Sequence, residues 1–115
     1  MTKCVFCSIA KGAKSYTIYE DKIVKAFLDI SPASKGHVLI IPVKHRKDIT
    51  EVSAKELNEM NAIAQRIAKT VITKGSSTGV NIISSNGTAA QQEVPHFHIH
   101  VIPRYKGDVE NPRGG

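Results

Sequence analysis

The segment Pro95-His96-Phe97-His98-Ile99-His100-Val101-Ile102-Pro103 constrains this chain more than any other, because three of its five histidines alternate there with apolar residues. A period of two is that of a β-strand, whose successive side chains point to opposite faces. The alternation predicts a strand over residues 96–102, with Phe97, Ile99 and Val101 against a core and the three histidines lining a site. Imidazole titrates near pH 6.5 and serves near neutrality as nucleophile, proton carrier or metal ligand. The competing reading, a solvated face, leaves three adjacent imidazoles without a task. Alternate strand residues lie about 6.7 Å apart, so His96 and His100 would sit about 13 Å apart at Cα. One ion does not easily hold all three, and the histidines must divide their roles.

A chain of 115 residues suits one domain with one core. With 41% hydrophobic and 23% charged residues and no tryptophan, the composition is that of a soluble protein with an aliphatic interior. No apolar run approaches the ~20 residues of a membrane span, and the N-terminus lacks the basic-then-apolar pattern of a signal peptide, so a cytoplasmic protein is expected. A net charge of +6 favours anionic partners, among them nucleotides, phosphorylated metabolites and nucleic acid. Lysine and arginine are scattered from Lys3 to Arg113 without interleaved aromatics, which makes nucleic acid a poor candidate.

Residues 4–11 suit a short helix stopped by Gly12, and residues 16–20 and 23–28 a hairpin turning at Asp21-Lys22. Residues 37–42 read as a buried strand. Ser53 and Glu56 have the spacing of a capping box and open a long helix whose stripe is Leu57, Met60, Ala64, Ile67 and Val71, with Gly75 as its stop. Residues 80–84 suit a fourth strand, 85–94 a polar loop containing Asn86-Gly87, and 96–102 the fifth strand. The pattern predicts an α+β fold: a five-stranded, mostly antiparallel sheet with one long helix on a face and a short N-terminal helix. The domain should span residues 1–105, and Asn111-Pro112 and Gly114-Gly115 in the tail 106–115 favour fraying. Cys4 and Cys7 are the only cysteines, and without a β-α-β context for redox chemistry zinc is the better reading, with metal-free thiols the alternative.

Several segments, in order, resemble the histidine-triad nucleotide-binding proteins: Cys4-x-x-Cys7, Phe27-Leu28-Asp29-Ile30-Ser31-Pro32, Gly36-His37, Ile41-Pro42-Val43-Lys44-His45, Asn86-Gly87, and residues 96–102, which fit His-φ-His-φ-His-φ-φ (φ apolar) throughout. The branch with an N-terminal Cys-x-x-Cys is the one resembled. The resemblance implies a histidine-triad fold, a homodimer joining two sheets into one, and a site for purine nucleoside phosphates. It implies that His98 is the nucleophile and that His100 donates to phosphate oxygens. Asp29 would accept from the ribose hydroxyls, although a turn role is open to it, and Val5, Phe6, Ile9, Phe27, Leu28 and Ile30 would enclose the base. Core packing is as good a reading for Ile9 and Ile30. Asn86 and Gln92 match positions contacting sugar or phosphate. Cys4, Cys7, His45 and His96 match a structural zinc site, and His37 would orient a triad histidine or serve only structurally.

Two departures stand out: Glu93 where many members carry a hydroxyl, and Gln91 where many carry glycine. The activity implied is hydrolysis or nucleotidyl transfer on purine nucleoside 5′-phosphoramidates or related nucleotidyl esters, of the phosphoramidase or dinucleoside polyphosphate hydrolase kind, through a nucleotidyl-histidine. The alternatives are a purine nucleotide-binding module with little turnover and a zinc-dependent hydrolase.

Overall fold

The computed structural model describes residues 4–108, so the Asn-Pro and Gly-Gly of the expected tail lie outside the described residues. Helix α1 spans Val5–Ala10, strands β1 and β2 Thr17–Glu20 and Val24–Leu28, β3 Val38–Pro42, helix α2 Ala54–Thr73, β4 Gly79–Ile83 and β5 Ile99–Arg104. The sheet order is β1-β2-β3-β5-β4, and every pairing is antiparallel. Among the described residues no helix is long and apolar enough to cross a membrane.

Local chemistry accounts for the element ends. The Cys4 sulfur caps α1 by accepting the Cys7 N–H at 3.3 Å, so the Cys-x-x-Cys spacing is that of a helix N-terminal turn. At the other end Gly12, at φ +107°, donates to the Ile9 carbonyl while Ala13 donates to that of Ser8, a Schellman closure. In the β1–β2 turn, Asp21 Oδ1 accepts the N–H groups of Ile23 and Val24. The capping box of α2 forms as expected, Ser53 Oγ accepting from the Glu56 N–H and Glu56 Oε1 from the Ser53 N–H.

The sheet is covered on both faces. Val24, Ala26, Val38, Ile40, Phe97, Ile99 and Val101 meet Met60, Ile63 and Ala64 of α2, so the buried stripe of the helix includes Ile63. On the other face Phe27, Leu39 and Ile41 meet Phe6 of α1. Two covered faces explain why residues 24–27 and 38–42 are buried without alternation. Lys25 is 4% exposed because its Nζ donates to the Ile9 carbonyl at the end of α1 and approaches Glu20, tying that helix to the sheet.

The histidine segment differs from expectation at its start, since the β5 ladder begins at Ile99 rather than His96. The cause is a competing partner: the Phe97 N–H donates to the Arg46 carbonyl, and the His96 N–H to that of Val94. Arg46 is held in turn by Glu56 through Nε contacts of 3.0 and 3.2 Å. The alternation of faces survives without the ladder, for Phe97 joins the α2 core with Ile99 and Val101. Met60 is fully buried in that core. Met60→Ala should cost about 2–5 kcal/mol by urea unfolding, and a cost below about 1 kcal/mol would contradict this packing.

Candidate functional site

The covered face opposite α2 opens into a cavity of about 640 Å³ between α1, the β2–β3 turn and the 85–94 loop. Val5, Phe6, Ile9, Phe27, Leu28, Asp29, Ile30, Gln92, His98 and His100 line it, as does His37. Asn86 does not line it; its Oδ1 accepts the Ile49 N–H and its Nδ2 donates to Ser84 Oγ. Ile30 is 86% exposed, which excludes the core reading for that residue, whereas Ile9 both packs against the Phe6 cluster and borders the cavity. Sequence reasoning missed Lys14 and Leu39 in the wall, neither of which sits in a motif.

Backbone partners fix the imidazole tautomers. His98 Nδ1 lies 2.8 Å from the His96 carbonyl, which can only accept, so Nδ1 carries the proton and Nε2 of the neutral ring keeps its lone pair. The residue is 6% exposed, yet it borders the cavity, and its ring packs edge-on to Phe6 at 5.1 Å between centroids. His37 is oriented in the opposite sense, because its Nδ1 accepts the Ala33 N–H at 3.0 Å. Its Nε2–H therefore donates to His100 Nδ1 at 2.9 Å, which leaves His100 with a donor at Nε2. His98 and His100 rings meet at 5.0 Å.

Asp29 takes the turn role, its Oδ1 accepting the Ser31 N–H, while its Oδ2 lies 3.6 Å from His37 Nε2 and the residue borders the cavity. Gln92 Oε1 accepts the Gly87 N–H, and Nε2 donates to the carbonyls of Lys47 and Val94, so its amide braces the loop it lies on. Gln91 adopts the left-handed conformation at φ +66°, which a glycine takes without steric cost. Glu93 is exposed, lines the cavity, and makes no ion pair with a described residue.

On the far side of His96, donor atoms of Cys4, Cys7, His45 and His96 lie within 4.8 Å of one another. His96 Nδ1 is 3.4 Å from both sulfurs, and His45 Nδ1 is 3.1 Å from Cys7 Sγ. A tetrahedral zinc with typical bond lengths sets sulfur and nitrogen donors roughly 3.5 Å apart, so the set fits that ion. His96 Nε2–H donates to the Pro42 carbonyl at 2.9 Å, which aims the Nδ1 lone pair at the sulfurs. Burial raises the Cys7 thiol, helped by the hydrogen bond and charge of Cys4.

Burial, with His98 and His37 as neighbours, depresses His100 to about 4, and burial also lowers His37 against the pull of Asp29. Both rings stay neutral in the fold near pH 7, whereas the unfolded chain protonates them below about pH 6.5. The unfolded state then binds more protons, so their contribution is complete above about pH 6.5 and is lost as pH falls toward 4. The melting temperature should fall between pH 7 and pH 4.5, and fall less in His100→Asn. An equal fall in the two proteins would contradict the assignment.

The sequence pattern of the HIT domain family matches residues 10–107. The chain is similar to an uncharacterised HIT-like protein of Methanocaldococcus jannaschii, 43% identical over 109 residues that cover 93% of this chain and 83% of that one. An adenosine 5′-monophosphoramidase of Saccharomyces cerevisiae is 38% identical over 102 residues, covering 88% of this chain and 62% of the yeast protein. Among solved structures, a zinc-bound histidine triad family protein from Mycobacterium smegmatis superposes with a TM-score of 0.88 at 41% identity, over 96% of this chain and 81% of that chain. With the triad, the antiparallel sheet and an N-terminal Cys-x-x-Cys in place, the chain belongs to the histidine-triad (HIT) domain family.

Proposed function

We propose that this protein is a hydrolase or nucleotidyl transferase acting on purine nucleoside 5′-phosphoramidates or related nucleotidyl esters through a covalent adduct on His98. The observation carrying this reading is the 2.8 Å bond from His98 Nδ1–H to the His96 carbonyl, which leaves a nucleophilic nitrogen on a ring beside the cavity. Nε2 attacks the α-phosphorus, the bond from phosphorus to the leaving nitrogen or oxygen breaks, and the leaving group takes a proton from solvent water as it departs. Water then attacks the same phosphorus, releases nucleoside monophosphate and returns the lone pair to His98. His100 donates from Nε2 to a phosphate oxygen as charge develops, and His37 acts through His100 by fixing its tautomer. The yeast phosphoramidase relative supports this reaction class.

Asp29 accepts from the ribose in this reading, and Val5, Phe6, Ile9, Phe27, Leu28 and Ile30 hold the base. Ile30, a large apolar side chain exposed at the rim, gains cover from it. Gln92 shapes the phosphate end, and Asn86 supports the loop from outside. Cys4, Cys7, His45 and His96 hold a structural zinc, which when bound supplies folding free energy and pins α1 to the histidine segment. A nucleotide-binding module with little turnover is the second reading, favoured by the Glu93 carboxylate in the wall. Zinc-dependent hydrolysis through His98 is disfavoured because, among the described residues, the donor sets that could hold a metal do not include it.

The sheet also supports a homodimer in a cytoplasmic protein. Strand β4 is an edge with Ile82 52% exposed, and Ile72 of α2 is 48% exposed, apolar surface that a second copy would cover. Sedimentation velocity should give twice the 12.5 kDa chain mass, and a monomer at micromolar concentration would contradict this.

The reaction and the metal are tested together by mass spectrometry and metal analysis. Wild-type protein quenched during turnover of an adenosine 5′-phosphoramidate should carry an adenylyl adduct and one zinc per chain. His98→Ala should lose the adduct, lower kcat by at least about a thousandfold and keep its zinc, whereas Cys7→Ser should lose the zinc. Tight nucleotide binding without adduct or turnover would establish the binding module, and zinc lost from His98→Ala would contradict the division of roles.

A further inference from the structure

The charges around the cavity are distributed unlike those of a polyphosphate site. Among the described residues that line it, the only lysine or arginine is Lys14, and it lies beyond the C-terminal end of α1 between Ala13 and Ser15. The loop next to the triad brings Gln91, Gln92 and Glu93 instead, a carboxylate without an arginine or lysine beside it in the wall. Gln92 cannot swing in to compensate, because its amide is held by Gly87, Lys47 and Val94. A leaving group of further phosphates would bring several negative charges to a cavity that carries the Asp29 and Glu93 carboxylates and, among its described lining residues, the single cation Lys14.

We propose that Glu93 selects the leaving group, and that this site favours nucleoside 5′-phosphoramidates whose departing amine carries a second, positively charged amino group. The inference rests on the phosphoramidate reading above and adds its specificity. The α-phosphate keeps its neutral donor at His100 Nε2, and the bond from phosphorus to the departing nitrogen breaks as His98 Nε2 bonds to phosphorus. The departing nitrogen takes a proton from solvent water and leaves as a free amine, while the distal ammonium stays paired with the Glu93 carboxylate. An anionic leaving group meets repulsion at the same place, and so does a diphosphate or a second nucleotide.

The test uses three adenosine 5′-phosphoramidates that differ only in the tail of the amine: 3-aminopropyl, propyl and 2-carboxyethyl. In wild-type protein at low salt, kcat/KM should fall in that order, with about tenfold or more between the cationic and anionic ends. The spread should shrink as ionic strength rises to 0.5 M, because the contact is exposed to solvent. Glu93→Gln should compress it to within about twofold, and Glu93→Lys should invert it. An unchanged ranking in Glu93→Gln, or no ranking in the wild type, would overturn the proposal. Failure of all three compounds to turn over despite nucleotide binding would overturn the reaction itself, and with it this inference.

Discussion

The hydrogen bond from His98 Nδ1–H to the His96 carbonyl joins the imidazole beside the cavity to the residue that faces the Cys4 and Cys7 sulfurs. It settles which nitrogen of the central imidazole is free, because a carbonyl cannot donate. The residue that supplies the carbonyl is itself oriented by a second carbonyl, that of Pro42, which turns the other nitrogen of His96 toward Cys4 and Cys7. Neighbouring histidines thus have opposite tautomers, imposed by main-chain atoms rather than by a buried carboxylate. Main-chain partners of this kind move only if the fold moves.

Much of the fold serves to hold that arrangement still. Ser53, Glu56 and Arg46 form a chain from the start of α2 to the Arg46 carbonyl, which takes the Phe97 N–H and sets the histidine segment before the β5 ladder begins. Lys25 anchors the end of α1, whose other end carries Cys4, Phe6 and Cys7 toward the same histidines. On the opposite side of the triad, the closed turn between β2 and β3 delivers the Ala33 N–H to His37 and so fixes His100 one ring further on. The result is a cavity lined by imidazoles of fixed orientation, by the Asp29 and Glu93 carboxylates and, among the described lining residues, by the single cation Lys14.

The sequence made the architecture legible because its signals were periodic or carried by caps. The alternation around His98, the Ser53–Glu56 box and Gly12 each state a local geometry without help from the rest of the chain. The start of the histidine strand was misplaced because the Arg46 carbonyl, far away in sequence, competes for the Phe97 N–H and no local pattern announces it. Ile63 was missed in the stripe of α2 although it stands three residues after Met60. At the site, the identities of the histidines could be read from the chain, but their tautomers could not, since these depend on which backbone atom lies opposite each ring. The same holds for Asn86 and Gln92, whose residue types suggest ligand donors while their surroundings engage them in bracing the loop. Cys4, Cys7, His45 and His96 were legible as one set through the family resemblance, and the fold adds that their donor atoms lie close enough together to hold one ion.

The claim on which the account turns is the tautomer order, and nitrogen-15 correlation spectra of the imidazole side chains at pH 7 measure it directly. The account predicts that His98 alone among His37, His96, His98 and His100 carries its proton on Nδ1, the other three carrying theirs on Nε2. A His98 ring protonated on Nε2, or exchanging between the two forms, would contradict it.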